Sequence, residues 1–231
     1  MYLNLITQCP PTACSLPSFS RSDVRSCAYV TVGTGIGVGL VINGEPVTGA
    51  LHPEAGHFLP RRHPDDSAYE GDCRFHKDCL EGLANAAAVA AKAGVPPSEL
   101  SSVPDSHPVW AWEAHYLAQL CAQLTLFVSP HVIVLGGGVL KRECLFPLVR
   151  AEMLRLLGSY IQLDRVTKHV DTYIVPSALN DEERSTTAGA VGALHLALQA
   201  ARAAGHGQDV TVAAATDAGT GMGADFTKAS Q

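Results

Sequence analysis

Between His52 and Cys79 the sequence HPEAGHFLPRRHPDDSAYEGDCRFHKDC gathers two cysteines and four histidines into one loop-like stretch of an otherwise apolar chain. Cys73, His76 and Cys79 form a C-x2-H-x2-C pattern, a spacing that lets three donors on one turning backbone point at a common centre. Thiolate and imidazole together suit tetrahedral zinc, and a closed set of four donors makes a structural rather than a catalytic site. The fourth donor has three candidates, His52, His57 and His63, and spacing does not choose among them. Two free cysteines with coincident histidines would be the plainer reading, but the density of donors favours a metal. The chain has seven cysteines, an odd number scattered apart from this pair, which does not suit a disulfide framework.

Two glycine-rich stretches are the other candidates for chemistry. VGTGIGVG, Val32 to Gly39, follows an apolar run; its glycines allow close backbone approach to a phosphate, and N–H groups with the Thr34 hydroxyl would supply donors. It is not a Walker-type loop, and a glycine-rich hairpin without a ligand accounts for it equally well. In VIVLGGGVL an apolar strand ends in Gly136, Gly137 and Gly138 before a helix, where α/β sheets bind nucleotides, and a merely tight turn would need fewer glycines. Glu54 lies three residues before His57 and Glu81 two after Cys79. Carboxylates so placed can accept hydrogen bonds from sugar hydroxyls, although either one alone would by default be a solvated surface acid.

These residues need a scaffold, and the chain supplies one. It has 231 residues, 47% of them hydrophobic, enough for a substantial core. A net charge of -6 leaves no basic surface for nucleic acid. No run reaches the roughly 20 apolar residues of a membrane span, and the N-terminus lacks a secretory pattern, so a soluble, cytoplasmic protein is expected. Residues 1–26, rich in Pro, Ser and Thr, read as an irregular segment. CAYVTVGTGIGVGLVING predicts two strands with an Asn43–Gly44 hairpin signal. LEGLANAAAVAAKAG predicts one alanine-rich helix closed by Gly94, and VWAWEAHYLAQLCAQLTLFV a second, with Trp112, Leu117, Leu120, Leu124 and Phe127 on its buried face. HVIVLGGGVL and TYIVPSAL predict further strands, LFPLVRAEMLRLLGSY a helix, and TTAGAVGALHLALQAARAAG a final helix. Alternating helices and buried strands make an α/β fold, with 199–231 as a disordered tail.

In this order the residues resemble the ROK family of sugar kinases, and within it the bacterial-type fructokinases: TVGTGIG, HPEAGH, RRHPDD, GDCRFHKDCLEGLA and VIVLGGGVL look like that subgroup's motifs. The resemblance covers roughly residues 27–198. It implies an actin-like, ribonuclease-H-like ATPase fold in which these residues form the larger C-terminal lobe with a zinc-bound loop, 57–79. It also implies ATP-dependent phosphorylation of a hexose, most readily fructose to fructose 6-phosphate. By position it makes His57 the fourth zinc ligand with Cys73, His76 and Cys79. It places Glu54, His57 and Glu81 on the sugar, and Thr34, Gly35 and Gly136, Gly137 and Gly138 on ATP. The cofactors would be structural zinc and the Mg2+ that accompanies ATP, and many relatives are homodimers. His52 and His63, with Cys9, Cys14, Cys27, Cys121 and Cys144, then carry no assigned role. The family's D-x-G-G-T-K phosphate motif and its catalytic aspartate find no match in residues 1–26, so no catalytic residue is assigned. An N-terminal lobe missing from the chain is the expectation, and a catalytically inactive, zinc-stabilised sugar-binding remnant or partner subunit is the rival reading.

Overall fold

The near-continuous apolar run CAYVTV forms β1 (Cys27–Val32), a strand buried along almost its whole length and therefore suited to the centre of a sheet. The computed structural model describes residues 24–177, which fall within one unit, Met1–Ala193. Most of the irregular segment expected at 1–26, the final helix and the tail lie outside the described residues. β2 (Ile36–Ile42) returns antiparallel to β1, with Val30 opposite Val38. Asn43 (φ 53°) and Gly44 (φ 91°) then occupy left-handed backbone conformations, the requirement of the tight turn that launches β3 (Glu45–Pro46).

β4 (Val132–Gly136) lies against the other side of β1, parallel to it, and β5 (Ile174–Pro176) lies parallel to β4. The sheet order is β3-β2-β1-β4-β5. Because β1 and β4 are parallel and Thr31 pairs with Gly136, the glycine turns that follow them leave the same edge of the sheet.

The alanine-rich segment is two helices rather than the single one expected: α1 (Leu80–Ala84) and α2 (Ala86–Ala93). Asn85 breaks them apart. It takes extended backbone angles, its Oδ1 accepts the N–H of Ala88 at 2.7 Å, and its Nδ2 donates to the Asp72 carboxylate at 3.0 and 3.2 Å. The capping gain outweighs the helical preference of the flanking alanines. Gly94 closes α2 in the left-handed conformation, as its position predicts.

α3 (Val109–Phe127) carries more buried residues than any other described helix, among them Trp110, Leu117, Leu120, Cys121 and Leu124. Trp112 and Phe127 depart from the expected face. Two residues beyond Trp110, Trp112 is rotated by about 200° around the helix and is only half-buried, while Phe127, in the last turn, is 83% exposed. α4 (Leu145–Leu157) ends at Gly158 in the left-handed conformation. The short helices α5 (Asp164–Thr167) and α6 (Val170–Tyr173) lead into β5. The main core lies among β1, β2, β4, β5, α1, α3 and α4, joining Val30, Leu83, Leu117, Ile133, Met153 and Ile174. Among the described residues no helix is long and apolar enough to cross a membrane.

Candidate functional site

The cysteine–histidine stretch folds into a tight knuckle. Cys73 and Lys77 exchange backbone hydrogen bonds (Lys77 N–H to Cys73 O, 2.9 Å; Cys73 N–H to Lys77 O, 3.3 Å), and Lys77 turns the chain with φ 59°. Gly82 lets α1 pack directly on this turn, since a Cβ there would lie 1.9 Å from Lys77 O. His57 arrives from a single 3-10 turn, Ala55–His57, seated against β2. Gly56 makes that seating possible, because a Cβ would lie 2.0 Å from Ile36 O. The glycine of E-x-G-H is thus a packing requirement that aims the histidine.

One donor atom each from His57, Cys73, His76 and Cys79 lie within 4.8 Å of one another. His57 Nδ1 is 3.8 Å from Cys73 Sγ and 3.5 Å from Cys79 Sγ, and His76 Nδ1 is 3.8 Å from Cys73 Sγ. Zinc bond lengths of 2.3 Å to sulfur and 2.0–2.1 Å to nitrogen place the S···N edges of a tetrahedron at about 3.6 Å. Two thiols and two imidazoles at these separations fit a zinc ion. The thiols are already polarised in opposite senses. The backbone N–H of His76, and less strongly that of Phe75, pulls Cys73 down to about 6, while burial pushes Cys79 up to about 11. The pair therefore offers one readily formed thiolate.

Glu81 stands between this knuckle and the first glycine turn. Its Oε2 accepts the Ile36 N–H at 2.9 Å, and its Oε1 lies 3.9 Å from His57 Nε2. Gly35 makes room, since a Cβ there would sit 2.6 Å from that Oε2. The Ala86 N–H donates to Gly33 O at 2.8 Å, so the α1–α2 junction grips both ends of the turn while Thr34 stays exposed at its apex.

At the end of β4 the three glycines divide. A Cβ on Gly136 would meet the Tyr29 hydroxyl at 2.6 Å, and one on Gly137, whose φ is 101°, would meet Val32 O at 2.3 Å. These two are demanded by packing, which the reading of the triplet as a ligand turn did not foresee. Only Gly138 is exposed with nothing within 4 Å of its Cβ position. A short turn, Val139–Lys141, rather than a helix follows directly, and α4 begins four residues later.

The remaining candidates are placed elsewhere. The Glu54 carboxylate pairs with His52 Nε2 at 2.8 Å on the exposed rim. His63 leaves the cluster and packs against Trp112 and His115, with ring centroids 6.3 and 5.1 Å away. Burial, reinforced by His115, holds its pKa below the usual histidine value.

One set of residues behind the site escapes the sequence reading. Lys92 Nζ meets Asp66 Oδ2 at 2.9 Å with both side chains 2% exposed, and it also donates to Leu83 O at 2.7 Å. The Tyr116 hydroxyl donates to the same Asp66 oxygen at 2.7 Å. Arg62 fans across the loop, reaching the carbonyls of Asp66, Tyr69 and Glu70 and the Asp78 carboxylate. Together they staple 62–78 to α2 and α3. The lone lysine in an alanine-rich helix was the available signal.

Antiparallel β1–β2–β3 followed by parallel β4 and β5, with glycine turns at one sheet edge, defines an α/β protein of the actin-like ATPase class. The ROK family model matches residues 18–200, and the chain belongs to that family. The fructokinase of Streptococcus mutans serotype c (strain ATCC 700610 / UA159) is 40% identical over 157 residues, 67% of this chain and 53% of the relative. The fructokinase of Zymomonas mobilis subsp. mobilis (strain ATCC 31821 / ZM4 / CP4) is 38% identical over 181 residues, 78% of this chain and 57% of the relative. The chain thus spans somewhat over half the length of the curated relatives it matches. Among solved structures, the ROK family glucokinase from Streptomyces griseus in complex with glucose and AMPPNP superposes with a TM-score of 0.54 at 20% identity, covering 75% of this chain and 61% of that one. That likeness speaks for the fold alone.

Proposed function

We propose that this chain carries the zinc, hexose and nucleotide sites of an ATP-dependent sugar kinase that converts fructose to fructose 6-phosphate. The observation that carries the reading is the junction at Glu81, one carboxylate shared between the Cys/His knuckle and the glycine turn of β1. The name fructokinase on relatives at 38–40% identity supports the choice of sugar.

In this reading His57, Cys73, His76 and Cys79 hold a structural zinc that fixes the loop, while Glu54 and Glu81 accept hydrogen bonds from sugar hydroxyls and His57, through its Nε2–H, donates to one. Thr34 and Gly35 approach the phosphates, and Gly138, the exposed member of its triplet, approaches the adenosine side; Gly136 and Gly137 shape the turn that presents it. Mg2+ bound with ATP would neutralise charge on the transferring phosphoryl group. The sugar 6-hydroxyl attacks the γ-phosphorus and the bond to the bridging oxygen of ADP breaks, a reaction governed by positioning and electrostatics. No described residue is assigned as general base.

Calorimetry of the 231-residue chain with fructose, mannose, glucose and a non-hydrolysable ATP analogue, alongside a coupled phosphorylation assay, tests this. Fructose is expected to bind, and Glu81→Gln to weaken it at least about tenfold, the worth of a hydrogen bond to a charged group. Glu54, more exposed, should lose less. Binding of sugar and nucleotide without turnover would mark the non-catalytic partner reading. Failure of all three hexoses and the nucleotide analogue to bind would overturn the proposal.

A further inference from the structure

We infer that Glu81 is a positioning residue that couples the metal site to the glycine turn, so that occupancy of the Cys/His cluster sets the order of the backbone at Gly33–Ile36. The inference rests on the sugar-kinase reading only in calling that turn a nucleotide turn.

The two ring nitrogens of His57 face different partners. Nδ1 faces the two thiols, at 3.8 and 3.5 Å, so it is the metal-side atom. A metal on Nδ1 leaves Nε2 carrying the ring proton, and Nε2 is the atom 3.9 Å from Glu81 Oε1. That separation exceeds a hydrogen bond, but a small side-chain rotation or one bridging water closes it. A metal-bound imidazole that presents N–H to a carboxylate is held in tautomer and orientation by it, and the carboxylate is held in return. Without metal nothing clamps the His57 ring against the two thiols, and Nε2 is no longer held beside Oε1.

The other oxygen of the same carboxylate is committed to the Ile36 N–H at 2.9 Å, across a site that only glycine at position 35 leaves open. The two oxygens share one rigid plane, so fixing Oε1 fixes the direction in which Oε2 points. The backbone around Glu81 is firm: Leu80 N–H donates to Phe58 O at 2.9 Å, and Gly82 is packed against Lys77. The Ala86 N–H on Gly33 O, at 2.8 Å, tethers the start of the turn independently of the carboxylate. The end at Ile36 is therefore the part that responds to the metal.

The test is amide hydrogen exchange on the full chain, loaded with zinc or treated with a chelator, for wild type, Glu81→Gln and Glu81→Ala, with zinc content measured for each. In wild type, chelation should speed exchange at Ile36 by about tenfold to a hundredfold, the loss of one charge-assisted hydrogen bond, while Leu117 and Leu120 in α3 stay protected. Glu81→Ala should bind zinc yet exchange fast at Ile36 in either state. Glu81→Gln should keep Ile36 protected through its amide oxygen, but with no response to zinc, because its NH2 group cannot accept from His57. An Ile36 amide in wild type indifferent to zinc, a zinc response surviving in Glu81→Ala, or a chain that binds no zinc would each overturn the inference. Should chelation also expose the α3 amides, the zinc-loaded comparison decides, and an alanine variant as slow as wild type at Ile36 refutes it. These readouts need neither sugar nor nucleotide. Exchange that follows zinc in a chain that binds neither hexose nor the ATP analogue leaves the coupling standing and removes the kinase reading.

Discussion

Glu113 sits at the start of the second turn of α3 with no exposed surface, and neither of its carboxylate oxygens has a hydrogen-bond partner. Burial pushes its pKa up to about 8; Lys92 works against the rise and Asp66 adds to it. Lys92 is already engaged by Asp66 and Leu83 O, so it offers Glu113 only a distant charge. The folded value thus lies above the unfolded value of 4.5, and the native chain holds a proton that the unfolded chain releases. This contribution to stability is fully present below pH 4.5 and is lost as pH rises towards 8. At about 1.4 kcal/mol per pH unit, three units up to pH 7.5 cost about 4 kcal/mol. Glu113→Gln has no proton to carry in either state, and its buried amide lacks partners much as the neutral carboxyl of wild type does. The variant should therefore be more stable than wild type by about 4 kcal/mol at pH 7.5 and close to wild type at pH 4.5. Urea unfolding of both proteins in parallel at pH 4.5, 6 and 7.5 measures this, and the difference between them cancels metal release and every other titrating group. A difference that does not change with pH would refute the reasoning.

Lys92→Met should destabilise by about 3–5 kcal/mol, because it leaves Asp66 charged and buried, and adding Asp66→Asn should recover part of the loss in the same unfolding experiment. Gly137→Ala should lower the thermal midpoint steeply, given its φ of 101° and the 2.3 Å approach to Val32 O, whereas Gly138→Ala, with open space around it, should leave the midpoint almost unchanged and weaken only ATP-analogue binding. Protein purified without added zinc should contain one zinc per chain by metal analysis; chelation should lower the thermal midpoint, and Cys73→Ser should lower the metal content.

Local patterns were the legible ones. Cys73, His76 and Cys79 lie within seven residues, so their spacing alone limits the geometry, and Asn43–Gly44 marks its turn by a conformation few other residues tolerate. His57 was different: spacing left it level with His52 and His63, and only family resemblance singled it out, because what gathers the four donors is the fit of Gly56 against β2. Asn85 hid inside an alanine-rich run, where helical preference outweighs a cap on paper; its partner Asp72 lies 13 residues away. Gly136 and Gly137 have their reasons in Tyr29, Ser177 and Val32, distant in sequence. Lys92, Asp66 and Glu113 could not be read as buried, since charge argues for the surface until a fold supplies the partner or withholds it.

The parallel pairing of β1 with β4 also has a temporal side. Cys27 pairs with Val132, so 105 residues must leave the ribosome after the first strand before its second neighbour exists. At about 5–20 residues per second, that is roughly 5–20 s during which one side of β1 offers unpaired N–H and C=O groups. The knuckle and the turn bearing His57 emerge complete inside that interval, their partners all within a short span of chain. Metal capture during synthesis would therefore organise the loop and α1 next to the waiting hairpin before the sheet can close.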